Sequence, residues 1–212
     1  ARAEWRFRVY GISALLFAAA ALFFLVSTIV TSGHTAFFRT TIQLEFELDP
    51  ERLGIVRPQT RENLWAGSYY PAAKNSLYRL FPEVTGRGDR RALSRILSPG
   101  AELELRRFVI ENPEKLGQTV TLDVPVASDF DQLYKGHLPR TGKHTRLGTE
   151  AMARFDRLVN EGYIRYRFNP GFLTGPDSRY PELAGIGGAI AGSFHALLVC
   201  LMLSFPLGIA AA

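Results

Sequence analysis

Two long stretches without any charged residue constrain this chain more than any other feature. Val9–Phe38 and Leu183–Ala212 contain no Asp, Glu, Lys or Arg, whereas residues 39–182 hold 22 of the 25 basic and 19 of the 20 acidic residues. An apolar helix of about 20 residues crosses a hydrocarbon core of about 30 Å. A mean hydropathy close to zero therefore conceals two apolar ends around a charged middle, which is the pattern of a membrane protein.

The first apolar stretch predicts a transmembrane helix over residues 10–32, preceded by a cytoplasmic N-terminus at residues 1–9. The basic residues before it are Arg2, Arg6 and Arg8. Their excess on this side orients the N-terminus toward the cytoplasm and the following residues toward the outside. A cleaved signal peptide is the main alternative. Signal sequences have shorter apolar regions of about 7–15 residues and a small-residue cleavage site, and no such site follows before Arg39.

The second apolar stretch predicts a returning transmembrane helix over residues 184–212. Gly188 and Gly192 form a G-x-x-x-G pair, which lets another helix approach closely in lipid but is also common by composition. Pro206 removes one backbone hydrogen bond, which membrane helices tolerate. His195 is either a functional polar group or a neutral histidine packed near the interface. Cys200 is the single cysteine, so no intrachain disulfide forms.

Residues 33–183 between the two stretches predict a small α+β domain outside the cytoplasm. Alternating apolar residues indicate three half-buried strands, in "TIQLEFELD", "TVTLDVPV" and "YIRYRF". The residues expected in the core are Ile42, Leu44, Phe46, Val120, Leu122, Val124, Ile164 and Phe168. Helical stretches lie between the strands, and Gly136 and Gly162 are expected to end two of them. Ser128 and Asp131 suggest a variant of the capping box.

The sequence contains no signature of a catalytic, cofactor or metal site, and no residue that binds a substrate can be named. There is no G-x-x-x-x-G-K-[ST] for nucleotide phosphates and no H-E-x-x-H for zinc. His137 and His144 flank "LPRTGK", but two histidines without a third ligand are a weak metal signal. Two basic groups could contact an oxyanion or an acidic partner, or could be solvated helix faces; they are Arg87, Arg90 and Arg91, and Arg106 and Arg107.

The basic isoelectric point of about 9.6 does not indicate nucleic-acid binding. No helix-turn-helix, zinc-finger or RNA-binding signature is present, and the basic residues alternate with acidic ones as on an ordinary solvated surface. The loop "NPGFLTGPDSRYPELAG" before the second apolar stretch is rich in Pro and Gly. It predicts a connector of fixed geometry between the domain and the membrane helix.

The order of several stretches resembles a known family. They are "RFRVYGISALLF", "GHTAFFRTTIQLEFELDP", "TGPDSRYPELAGIGGAIAGSF" and "FPLGIAAA". Together they are similar to PstA, the permease subunit of bacterial phosphate ABC transporters, in the variant with an N-terminal extracytoplasmic domain. The most specific pieces are Asp177–Arg179, Pro181–Ile186 and Pro206–Gly208.

The resemblance implies a multi-pass protein of the bacterial inner membrane that moves phosphate by alternating access. Its partners would be a second permease subunit, a separate ATP-binding subunit and a periplasmic phosphate-binding protein. The chain itself would be no enzyme and would carry no cofactor. Its second helix would open the ABC permease domain, and further helices after residue 212 are expected.

A two-span membrane sensor, of the histidine kinase or chemoreceptor type, is the alternative function. It shares the order of helix, extracytoplasmic domain and helix. The glycine-rich second stretch with Pro206 favours a permease, because a signalling helix usually continues straight into a coiled coil. A membrane-anchored assembly domain without a transport role is a third reading.

Overall fold

The structure is a computed structural model and describes residues 2–56, 60–140 and 147–211. The chain divides into two units, residues 1–37 and 38–212. The first unit is helix α1 (Arg2–Gly33), followed by a short 3-10 helix (His34–Phe37). The helix predicted over residues 10–32 lies wholly inside α1.

Three hydroxyl groups of helix α1 donate to its own backbone. The hydroxyls of Ser13 and Thr28 donate to carbonyls one turn earlier, at 3.0 and 2.9 Å. Thr31 does the same toward Ser27 at 2.8 Å. Because these groups need no water as a partner, the helix presents an apolar surface along its length.

The second unit contains a three-stranded antiparallel sheet in the order β2-β1-β3. Its strands are β1 (Phe38–Glu47), β2 (Thr119–Pro125) and β3 (Ile164–Phe168). Strand β1 is central, with Ile42 opposite both Val124 and Ile164. The three strands predicted from period-two alternation are confirmed.

Six helices surround the sheet within the part of the chain that is described, and two more follow β3. They are α2 (Arg61–Trp65), α3 (Tyr69–Arg79), α4 (Arg87–Ser94), α5 (Gly100–Glu111), α6 (Ser128–Tyr134), α7 (Thr149–Asn160), α8 (Pro170–Thr174) and α9 (Gly187–Ala211). Gly136 and Gly162 follow α6 and α7 with φ of 76° and 79°. This left-handed conformation suits glycine at a helix end, as predicted.

The core lies on one face of β1 and under α3, α5, α6 and α7. Alternate residues of β1 are buried, and so is the apolar side of each of these helices. The predicted core residues Ile42, Leu44, Phe46, Val124 and Ile164 are buried. Val120 and Leu122 are half-buried and pack against the core, since β2 is an edge strand.

Two details of the prediction are wrong. Phe168 was expected in the core but is 53% exposed, because β3 pairs at the start of β1 and its last residues extend past the covering helices. No capping box forms at Ser128, since Ala127 caps α6 without a side-chain hydrogen bond. Asp131 instead accepts a hydrogen bond from the Thr40 backbone at 2.9 Å and pairs with Lys135 at 2.7 Å.

Two helical segments are long and apolar enough to cross a membrane. They are Phe7–Phe37, with a mean hydropathy of 2.4, and Gly187–Ile209, with a mean hydropathy of 1.9. In each helix, no residue of the most apolar 18-residue stretch is buried within the protein. The architecture is therefore two long apolar helices with a small α+β domain between them in the chain.

Candidate functional site

A cleft of about 630 Å³ lies between helix α5 and the segment that leads to α9. We name Asn169–Ile186 the linker. One wall of the cleft comes from β1, α2 and α5, with Arg39, Trp65 and Arg107. The other wall is the linker, including Asp177. The cleft thus lies where the domain meets the segment that leads to the second long helix.

Two arginines of the cleft, Arg39 and Arg107, share one carboxylate. Arg39 donates to Glu104 at 2.9 Å, and Arg107 pairs with the other carboxylate oxygen of the same residue. Glu104 is about one-fifth exposed, so it bridges two guanidinium groups in a partly desolvated place. This ion-paired triad fixes the geometry of the wall and leaves one positive charge in excess.

Arg106 is held by both charge and aromatic rings. It pairs with Glu102 at 2.5 Å and lies over the rings of Trp65 and Tyr69, at 5.3 and 5.5 Å from the centroids. Burial raises the pKa of Tyr69, and the Arg106 charge opposes that rise. The Tyr69 hydroxyl donates to the Leu64 carbonyl at 2.5 Å. These contacts tie α2, α3 and α5 together beneath the cleft.

The linker folds back on itself at glycines where any side chain would force the neighbouring backbone to move. A Cβ at Gly185 would lie 2.5 Å from the Gly175 carbonyl oxygen and 2.6 Å from that of Gly171. A Cβ at Gly187 would lie 2.8 Å from the Leu173 carbonyl oxygen. The two ends of the linker are therefore in backbone contact, which fixes the start of α9 against α8.

The linker is also anchored to the domain at the start of α5. The buried Ser98 hydroxyl donates to Glu182 at 2.5 Å and accepts from the Gly100 backbone at 3.0 Å. The Leu183 side chain fills the space that a Cβ at Gly100 would occupy. A charge-assisted hydrogen bond and an apolar contact thus hold "PEL" of the linker on the domain.

The basic residues singled out in the sequence divide between two places. Arg106 and Arg107 line the cleft. Arg90 lies elsewhere, where it donates to the Val84 carbonyl at 3.0 Å and stacks on Tyr78. Arg87 and Arg91 are exposed on the same helix, α4. The two groups do not meet in one site.

The histidines show no metal site among the described residues. His137 is exposed, whereas His144 lies outside the described residues. No cluster of three or more His, Cys, Asp or Glu side chains forms within ranges 2–56, 60–140 and 147–211. On α9, the His195 ring bonds the Ala191 carbonyl at 2.7 Å, so its polarity is partly satisfied within the helix.

The remaining features of α9 face outward. Gly188 and Gly192 have open space where a side chain would stand. Cys200 is a free, exposed thiol. The helix continues through Pro206 as far as Ala211. The G-x-x-x-G face therefore lies open for contact.

Several residues of the cleft carry no signal in the sequence. Trp65, Arg39 and Glu104 come from three separate elements and converge only through packing. Ser98 could have been noticed as a hydroxyl two residues before the first residue of a helix, but its partner Glu182 is 84 residues away. Such tertiary pairs cannot be derived from local pattern.

Fold and site together define a class of protein. It has two helices of membrane-spanning length and composition, with an α+β domain between them in the chain. A closely packed linker connects this domain to the second helix. The chain belongs to the family described as Domain of unknown function (DUF3333), which matches residues 1–144. The match covers α1 and the domain through α6, and the linker and α9 lie beyond it. Neither a curated protein nor a solved structure matches the chain.

Proposed function

We propose that this chain forms part of the membrane permease subunit of an ATP-driven phosphate importer of the PstA type. The segments around α1 and α9 would cross the bacterial inner membrane, with the N-terminus in the cytoplasm and the domain outside. The translocation path would be formed with a second permease subunit and would open by alternating access. ATP would be hydrolysed by a separate subunit, and a periplasmic binding protein would deliver phosphate.

The linker is the observation that carries this proposal. Its sequence "DSRYPELAGI" is the most specific part of the resemblance to PstA, and it adopts a closely packed structure with backbone contacts at Gly175 and Gly185. Its anchor at Ser98 and Gly100 would let the domain and the start of α9 move as one body. Alternating access requires such rigid parts that transmit a rearrangement.

The surface of the two long helices supports the membrane location. The large apolar side chains of α1 and α9 are mostly more than half exposed. Soluble proteins rarely expose continuous apolar surface larger than a few hundred Å². A lipid bilayer would remove the apolar surface of both helices from water. The positive charges of Arg2, Arg6 and Arg8 orient the first span.

Phosphate uptake tests the proposal. Cells that lack the full-length protein are starved of phosphate and then complemented with the full-length protein or with residues 1–212. We expect high-affinity uptake of labelled phosphate to be lost in cells without the protein. The full-length protein should restore it, whereas residues 1–212 should not, and sulfate uptake should stay unchanged throughout.

Each arm has an outcome that would contradict the proposal. Normal high-affinity uptake without the protein would rule out the phosphate role. Uptake restored by residues 1–212 would show that no further helices are needed. Tagged full-length protein should also co-purify an ATP-binding subunit from membranes, whereas a sensor would be recovered without one.

A further inference from the structure

An exposed aromatic patch lies at the end of the sheet where β1 begins and β3 ends. It consists of Phe38, Tyr134, Tyr166 and Phe168, which are 37%, 40%, 43% and 53% exposed. Phe38 stacks on Tyr166 with 5.2 Å between ring centroids and meets Phe168 edge-on at 5.9 Å. Tyr134 lies 6.1 Å from Tyr166. The four rings therefore form one continuous surface.

The aromatic patch continues the core face of the sheet beyond the helices that cover it. Phe38 pairs with Phe168 and Thr40 with Tyr166, on the same face as the buried pair Ile42 and Ile164. Helix α6 covers Thr40, which is 1% exposed, and its Lys135 donates to the Phe38 carbonyl at 2.8 Å. The backbone at this end is thus held firmly, while the rings remain open.

Both chain connections to the long apolar helices leave next to the aromatic patch. Only four residues, His34–Phe37, separate the end of α1 from Phe38 in the chain. Phe38 is five Cα–Cα steps from the end of α1, and at about 3.5 Å per extended step these span no more than about 17 Å. On the other side, α8 begins two residues after Phe168, and its Phe172 carbonyl accepts a hydrogen bond from Ile186 at 2.7 Å, directly before α9.

We propose that the aromatic patch rests in the interfacial layer of the lipid bilayer, so that the domain sits on the outer face of the inner membrane. This inference rests on the proposed membrane location of α1 and α9. Tyrosine and other aromatic rings concentrate at membrane–water interfaces, because an apolar ring with a polar edge suits that layer. The patch places two phenol groups and two phenyl rings there on a rigid sheet.

The bilayer explains the patch better than a protein partner does. A segment held within about 17 Å of a membrane span stays near the headgroup layer, which is about 5–8 Å deep on each side of the hydrocarbon core. The four rings carry no charge, and Lys135 beside them pairs with Asp131 at 2.7 Å. The exposed Arg167 lies on the opposite face of β3, where it pairs with Asp123 at 2.7 Å. An uncharged aromatic surface at this depth loses contact with water whenever the domain settles on the lipid.

Depth measurement by spin labelling tests the inference in the full-length protein. Single cysteines are introduced in a background whose native cysteines, including Cys200, are replaced by Ser. They carry a nitroxide label, in vesicles of phosphatidylethanolamine and phosphatidylglycerol. Phe168→Cys and Tyr134→Cys report on the patch from β3 and from α6. Thr119→Cys is the control, since Thr119 pairs with Glu47, about 30 Å along β1 from Phe38. Leu198→Cys reports on α9.

We expect the labels at Phe168 and Tyr134 to collide more with oxygen, which concentrates in lipid, than with a water-soluble nickel chelate. The Thr119 label should show the reverse ratio, and the Leu198 label should show the strongest oxygen preference. An aqueous ratio at both Phe168 and Tyr134, with Leu198 in lipid, would overturn the inference and leave the proposed function standing.

Two further outcomes would also overturn it. Patch labels shielded from both reagents would show that a second copy or a partner subunit covers the rings. An aqueous ratio at Leu198 would contradict the proposed membrane location itself, and the inference would fall with it.

Discussion

Phe46 is the last inward-facing residue of β1 and has no exposed surface. Removing its ring would leave a cavity that the surrounding side chains cannot fill. Phe46→Ala should therefore lower the free energy of unfolding of the domain by about 3–5 kcal/mol. Urea unfolding of the chain in detergent, followed by the fluorescence of Trp65, measures this change.

Phe168→Ala is the matched control, because the same ring is removed from an exposed site on the same face of the sheet. Its effect should stay within about 1 kcal/mol. If the two substitutions destabilise the domain equally, the description of which end of the sheet is covered is wrong. A harmless Phe46→Ala combined with a severe Glu45→Ala would reverse the two faces of β1.

Tyr69 predicts a dependence of stability on alkaline pH. Its pKa is raised above the usual value of about 10 by burial, so the folded state holds the proton more tightly than the unfolded state. The stabilisation is fully present below pH 10 and is lost as the pH rises through the raised pKa. Tyr69→Phe should lower the free energy of unfolding by about 1 kcal/mol at pH 7, because the hydrogen bond to Leu64 is lost. Above pH 10, the variant should lose less stability with rising pH than the wild type does.

Unfolding curves between pH 7 and pH 11 check this prediction. Other tyrosines, such as Tyr70 and Tyr166, also have raised pKa values from burial and remain in both proteins. The difference between the two curves therefore isolates Tyr69. Parallel curves for wild type and Tyr69→Phe would contradict the assignment.

At the scale of elements, the linker depends on glycine at position 185. Gly185→Ala would place a Cβ 2.5 Å from the Gly175 carbonyl oxygen, so the backbone would have to move. We expect a loss of about 1–3 kcal/mol, faster proteolysis of the linker and reduced phosphate uptake. Gly188→Ala, at a position with open space, is the control and should leave the linker resistant to protease. Equal resistance in both variants would argue against a closely packed linker.

The strands and longer helices could be predicted from the sequence because their signals are local. Period-two alternation identified β1, β2 and β3, and glycines marked the ends of α6 and α7. Phe168 shows the limit of that method. Alternation correctly assigned it to the core face, but whether a helix covers that part of the face depends on where α6 ends in space. The short helices α2 and α8, with five residues each, have too little periodicity to detect.

The cleft could be predicted only in part. Arg106 and Arg107 stood out as neighbouring cations, and the linker stood out by its Pro and Gly content. Their ion-pair partners could not be predicted, because carboxylates are abundant and the pair of Arg39 with Glu104 spans 65 residues. The capping box at Ser128 failed for a related reason, since Asp131 accepts a hydrogen bond from the Thr40 backbone, 91 residues away in the chain, and the start of α6 has no side-chain cap.

At the scale of the whole molecule, the proposed function depends on one arrangement. Two spans must hold the domain outside the cytoplasm, with the basic N-terminus inside. A cleaved first segment would release the N-terminus of the domain, and the opposite orientation would expose the domain to the cytoplasmic ATP-binding subunit. Each of these arrangements is incompatible with a permease that receives phosphate from a periplasmic binding protein.

Cysteine labelling in intact cells tests this arrangement most directly. In a full-length protein whose native cysteines, including Cys200, are replaced by Ser, Ala3→Cys and Thr119→Cys are exposed to a membrane-impermeant maleimide before and after the inner membrane is permeabilised. We predict that Thr119→Cys is labelled from outside and that Ala3→Cys is labelled only after permeabilisation. Labelling of Ala3→Cys from outside, its loss by cleavage, or protection of Thr119→Cys until permeabilisation would contradict the account.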